Sequence, residues 1–306
     1  MAKTSGKRVA LALGAGGARG YAHLGAVREI RERGHEVVSV AGTSMGALVG
    51  GLVAAGKEED FATWASGLRQ RDVIRLLDPK WRAGGAFNAE GVVEELESLL
   101  GEQLIEELPI PFTAVATDLE SHREVWFQRG PLVKAIRASI GIPGVFVPVM
   151  WNGRVLVDGG LLNPLPMDPT AAAPADFTVA VSLQGRRVQR ETHAPVVEDS
   201  ADVTADESGS TVFRRLRDKL GVGGEATTPK AEESRPQPDL RIADVMTLSW
   251  DAMQEMIARY RLAGNPPDVL VTVPVDAART LDFHRAREVI ELGRELTAKA
   301  LDDAGL

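Results

Sequence analysis

Apolar residues along the chain alternate between two rhythms. Short unbroken runs recur at Val9 to Leu13, Val37 to Val40, Phe112 to Ala116, Val125 to Phe127, Val155 to Val157, Phe177 to Leu183 and Val269 to Val273, and these read as buried strands. Between them the spacing becomes helical. A helix is expected at about 18–33, with Leu24, Val27 and Ile30 on one face and Gly34 closing it. Further helices are expected at 44–56, 58–68, 89–100 (capped by Asn88), 131–138, 242–262 and 284–303. Within 242–262 the helical spacing of Val245, Met246, Met253, Met256, Ile257 and Tyr260 reads as core filler. Strands that alternate with helices predict an α/β fold: a three-layer α/β/α sandwich around a mostly parallel central sheet.

The pattern breaks once. Residues 184–241 are polar and almost without periodicity, and a run that long reads as a flexible insertion in a single domain made of 7–183 and 242–303. One island interrupts it at 211–221. There Val212, Phe213, Leu216 and Leu220 would form an apolar stripe beside Arg214, Arg215, Arg217 and Lys219. Such a basic amphipathic helix is expected to make peripheral contact with an anionic membrane.

Composition narrows the classes. The 306 residues include no cysteine, so disulfides and thiolate chemistry are excluded. A net charge of −8 argues against nucleic acid as the main ligand. Met1 to Arg8 is basic, but the apolar run behind it is short and enters glycines, which suits a first strand better than a secretory leader. The expected location is therefore cytoplasmic, with peripheral membrane association.

From Val37 to Gly56 there are twenty residues without a charge, long enough for a transmembrane helix. Glycines at 42, 46, 50, 51 and 56 thin its hydrophobicity, and a buried strand–turn–helix is the better reading. Its turn, Gly42-Thr43-Ser44-Met45-Gly46, matches the G-x-S-x-G nucleophile elbow. Ser44 would sit at a helix N-terminus, where unpaired N–H groups favour developing negative charge.

Gly14 to Gly20 follows the first strand. It fails as a dinucleotide fingerprint, because the third glycine position counted from Gly14 holds Arg19 and no acidic residue closes the second strand. It fits an oxyanion hole better, with the N–H groups of Gly16 and Gly17 as donors. No cofactor and no metal are expected. A serine nucleophile needs a base, and none of His23, His35, His122, His193 and His284 stands in a glycine-flanked loop. Asp158 does: it ends a buried strand and precedes Gly159 and Gly160. It reads either as the partner of Ser44 or as an aspartate that starts a turn.

In this order, the glycine–arginine loop, Gly42-Thr-Ser-Met-Gly46 and Asp158-Gly-Gly160 resemble the patatin-like phospholipase family, in its bacterial single-domain branch. "ARGYAHLGAV" (18–27), "ATDLESHREVWF" (116–127), "AIRASIGIPGVFVPV" (135–149), "LVDGGLLNPLP" (156–166) and "DFHRAREVIELG" (282–293) resemble the same branch. The resemblance implies a Ser44–Asp158 dyad without histidine and an oxyanion hole from Gly16, Gly17, Ala18 and Arg19. It also implies hydrolysis of phospholipid or related acyl esters through an acyl-enzyme. The chain departs from the family at Ala15, where the loop usually opens with glycine. Two alternatives stand beside this reading: a small-ester or thioester hydrolase, and a catalytically idle lipid-binding module. Arg19 reads as an anchor of the loop in preference to a ligand for anionic headgroups.

Overall fold

The structure is a computed structural model that describes residues 6–76, 89–187 and 242–306. The island at 211–221, Asn88 and His193 lie outside the described residues. The described residues up to Arg187 and from Met246 onward belong to one compact unit.

The chain begins with β1 (Arg8–Leu13), a 3-10 turn at Gly17–Tyr21 and α1 (Ala22–Glu32), then β2 (Glu36–Thr43) and α2 (Met45–Ala54). Helices α3 (Glu58–Gly67), α4 (Gln70–Leu76) and α5 (Glu90–Leu100) precede β3 (Phe112–Asp118) and β4 (Arg123–Phe127). After α6 (Leu132–Ser139) come β5 (Val149–Trp151), β6 (Arg154–Asp158) and β7 (Phe177–Gly185). The described chain ends with α7 (Ile242–Gly264), β8 (Val269–Pro274) and α8 (Ala286–Asp303). The pattern of apolar runs misses α4 and β5, which are short, and it ends β7 two residues early.

The strands form one sheet in the order β5-β6-β3-β2-β1-β7-β8, with β4 also paired to β3. From β3 to β8 through β2, β1 and β7 the pairings are parallel; β4, β5 and β6 pair antiparallel. The strand alternation explains why the two faces differ. Val9, Leu11 and Leu13 of β1 and Val179, Val181 and Leu183 of β7 point into the main core, with α1, α2, α6 and α8. Ala12 and Ala180 point the other way, into a smaller cluster with Leu165, Met167 and Ala258 of α7. Helices thus cover both faces, and α7 lies close against small side chains.

The orientation of α7 corrects the reading of its methionines. Met246, Met253, Met256 and Tyr260 are exposed, Met246 by 68% and Tyr260 by 74%, and Val245 is exposed too. Among the described residues of this helix, Gln254 and Ala258 are the buried ones. The uncharged run at 37–56 is β2, the elbow and α2. Among the described residues no helix is long and apolar enough to cross a membrane.

Candidate active site

Strand register brings the two candidate residues together. β2 pairs with β3 up to Thr43 opposite Val115, and β6 pairs with β3 from Asp158 opposite Ala116. β4 occupies the other edge of β3 over Ala114–Asp118, so β2 and β6 must share one edge. Their C-terminal ends therefore meet head to head. The residue after β2 is Ser44 and the last of β6 is Asp158.

Ser44 has φ 57° and ψ −125°, a conformation that L-residues rarely adopt and that costs roughly 1–3 kcal/mol. Close packing holds it there. A Cβ on Gly42 would lie 2.1 Å from the Gly46 carbonyl oxygen, and one on Gly46 would lie 2.0 Å from the Leu13 oxygen. The Ser44 N–H donates to Ser139 Oγ (2.9 Å), whose hydroxyl donates to the Val115 carbonyl (2.6 Å). Ser139 is missed from the residue pattern, because a lone serine ending an amphipathic helix carries no distinguishing signal. It fixes the peptide that enters the elbow.

The Ser44 side chain lies close enough to the Asp158 carboxyl to favour its charged form, and Asp158 Oδ1 accepts the Gly160 N–H at 2.7 Å. Asp158 is buried, and desolvation of its charged form pushes its pKa up to about 7 against the opposing pull of Ser44 and the Gly160 N–H. The segment that follows ties the three motifs together. Thr43 Oγ1 donates to the Asn163 carbonyl (2.8 Å), and the Ala15 N–H donates to the Pro164 carbonyl (2.8 Å).

The glycine loop is held at almost every polar atom. Gly14 N–H donates to Val181 O, and His23 Nε2 lies 2.9 Å from Gly14 O, so it must carry the ring proton. Burial pushes the His23 pKa down to about 4, so this imidazole is neutral and committed to the loop. The Ala18 N–H donates to Thr280 O at 3.0 Å, which removes Ala18 from the expected oxyanion donors. Among the described residues the N–H groups of Gly16 and Gly17 have no acceptor. Arg19 is buried: Nε donates to Gly16 O, Nη1 to Val275 O and Nη2 to Asp251 Oδ1. Its side chain is an anchor and is not presented to a headgroup. Ala15 causes no conflict, since its N–H is spent on Pro164 and its φ is not positive.

None of the described histidines shares a hydrogen bond with Ser44 or Asp158. His35 accepts the Lys7 N–H and packs edge-on against Phe177, while His122 takes a positive φ between β3 and β4. Asp118 accepts the Glu120 and Ser121 N–H groups at the end of β3 and belongs to that turn.

Ser44 and Gly17 line a pocket together with Leu48, Phe61 and Trp64 and with Leu68, Val73 and Val92 of the α3–α5 region, and its walls are almost wholly apolar. Tyr21 also lines it, and burial pushes that phenol above its ordinary range, so the wall carries no charge there.

The family model for patatin-like phospholipase matches residues 11–171, which contain the glycine loop, the elbow and the Asp-Gly-Gly turn. A Mycobacterium tuberculosis protein named as an uncharacterized NTE family protein is 43% identical over 98% of this chain and 92% of its own length. Mouse patatin-like phospholipase domain-containing protein 7 is 30% identical over 94% of this chain, which spans 20% of that protein. Among solved structures, VipD from Legionella pneumophila aligns with a TM-score of 0.44 and 15% identity, over 98% of this chain and 67% of VipD.

Proposed function

Because the chain belongs to the patatin-like phospholipase family, we propose that it is a serine acyl hydrolase that cleaves phospholipid or related lipid acyl esters. Ser44 is the nucleophile and Asp158 its base. The observation that carries this reading is a serine on a strained elbow that stands beside a buried carboxyl and lines an apolar pocket.

In this reading Ser44 Oγ attacks the ester carbonyl carbon as its proton passes to Asp158. The tetrahedral oxyanion is held by the N–H groups of Gly16 and Gly17, each such donor being worth about 3–4 kcal/mol to the transition state. The C–O bond to the leaving alcohol breaks, and Asp158 returns the proton to that oxygen. Water then attacks the acyl-enzyme with Asp158 again as base, releasing the acid and restoring Ser44. The apolar pocket supports an aliphatic chain as the acyl group, and a carboxyl with a pKa of about 7 suits a base that works near neutrality.

The test is hydrolysis of a panel of phospholipids, lysophospholipids and short-chain esters, together with labelling by a fluorophosphonate. Ser44→Ala, Asp158→Asn and the double variant should fall to one common residual rate, because residues that act as a unit are non-additive. Full activity in folded Asp158→Asn rejects the dyad. Cleavage of short esters or thioesters alone rejects the lipid substrate.

A further inference from the structure

The direction of the two free N–H groups is set from behind, through the carbonyls of the same peptide planes. In a trans peptide the C=O and the following N–H point in opposite directions. Gly16 O and Gly17 N–H share one plane, and Ala15 O and Gly16 N–H share the next. Arg19 Nε holds Gly16 O at 3.1 Å, and Gln184 Nε2 reaches Ala15 O at 3.4 Å. Both side chains are in turn held by one face of α7. Asp251 Oδ1 accepts from Arg19 Nη2 (3.1 Å), and Gln254 Oε1 accepts from Gln184 Nε2 (2.8 Å). Gln254 is buried and also covers the Asp158 turn, so closely that a Cβ on Gly160 would lie 2.2 Å from its Nε2.

We propose that α7 is a clamp on the oxyanion loop, with Asp251 and Gln254 as positioning residues that aim the Gly16 and Gly17 N–H groups by way of Arg19 and Gln184. The inference rests on the acyl-hydrolase reading above. It explains a polar face turned inward on a helix whose methionines face out. A guanidinium donating to two carbonyls carries a charge that two neutral acceptors do not balance, and Asp251 supplies the counter-charge. Neither residue touches the reacting atoms, so each acts by keeping the donors pre-aligned before charge develops.

The experiment uses the full chain and a soluble short-chain chromogenic ester, with active sites titrated by a fluorophosphonate so that rates are counted per reactive Ser44. Asp251→Ala should lower kcat per titrated site by about 10- to 100-fold, a fraction of what losing a whole donor does, with KM changed less than threefold. Asp251→Asn, which keeps an acceptor but loses the charge, should fall between the two. Gln254→Ala should lose about three- to tenfold, since its bond to the loop runs through a longer contact. In an Arg19→Gln background Asp251→Ala should add nothing, because both act through the same carbonyl. A merely structural role would lower Tm and the titrated fraction but leave kcat per site intact, and that result overturns the clamp. A rise in KM alone, or additive losses with Arg19→Gln, also overturns it. If wild-type protein neither hydrolyses esters nor labels at Ser44, the hydrolase reading fails and the clamp falls with it. Active wild-type with unaffected variants removes the clamp alone.

Discussion

At the residue scale the buried carboxyl of Asp158 sets two pH dependences with a common origin. A base must be ionised, so kcat/KM should fall tenfold per pH unit below an apparent pKa of about 7 and level off above it. Stability should run the other way. In the unfolded chain this aspartate titrates near 3.9, so between about pH 4 and 7 the folded state keeps a proton that the unfolded state has released. Raising the pH through that window therefore favours unfolding, by up to about 4 kcal/mol once the folded group has ionised. Asp158→Asn, which still accepts the Gly160 N–H, should be more stable than wild-type at pH 8 and nearly equal to it at pH 4. Thermal melts across that range check the sign; a variant that is less stable at pH 8 would contradict it. Ser44 and Asp158 were legible in the sequence because each stands beside glycines that serve no purpose in an ordinary strand or helix. Ser139 and His23 were not, since their partners are backbone carbonyls about 24 and nine residues away and leave no local trace.

At the element scale the β2–α2 elbow depends on backbone approaching backbone, and this makes glycine obligatory. A methyl group at position 46 would meet the Leu13 oxygen at 2.0 Å and the Gly14 oxygen at 2.9 Å, and neither can move without shifting β1 and the oxyanion loop. Gly46→Ala should cost about 3 kcal/mol, as overpacking against main chain does, and should lower Tm and activity together. Gly67→Ala, at the end of α3 with nothing within 4 Å of the new methyl, is the control and should be neutral or slightly stabilising. Equal melting temperatures for the two variants would refute the packing account. Most elements were legible, since strand runs and helical periods register burial directly. α7 shows where that logic reverses. Its apolar stripe and its polar positions Asp251 and Gln254 are both visible in the sequence, but periodicity gives only their phase. Which stripe turns inward was decided by the partners it meets: Arg19 and Gln184 at the loop, and Glu124 and Asp168 paired with Arg261. Glu124 and Asp168 are more than ninety residues from Arg261, beyond the reach of a local pattern.

At the scale of the whole molecule, β1 and β7 turn valine and leucine side chains to one face of the sheet and Ala12 and Ala180 to the other, and the pocket lies on the valine and leucine side. Ser44 is among its lining residues, as are Leu68, Val73 and Val92 from the α3–α5 region. If this is where the acyl chain lies, its length should be read as buried methylenes. Each adds about 0.8 kcal/mol, or about fourfold in kcat/KM, until the pocket is full. A homologous series of single-chain esters should therefore show a rise followed by a plateau. Val92→Trp places bulk in the α5 wall, far from the elbow in sequence and outside the hydrogen-bond network around Ser44, so it should spare the chemistry. Butyryl esters should then react at close to the wild-type rate, while the plateau arrives several carbons earlier. With four methylenes excluded, the longest substrates should lose about 3 kcal/mol, a factor of about 200. An unchanged chain-length profile in folded Val92→Trp would mean that the chain runs elsewhere. An equal loss at every length would place the damage at the elbow instead of in the pocket.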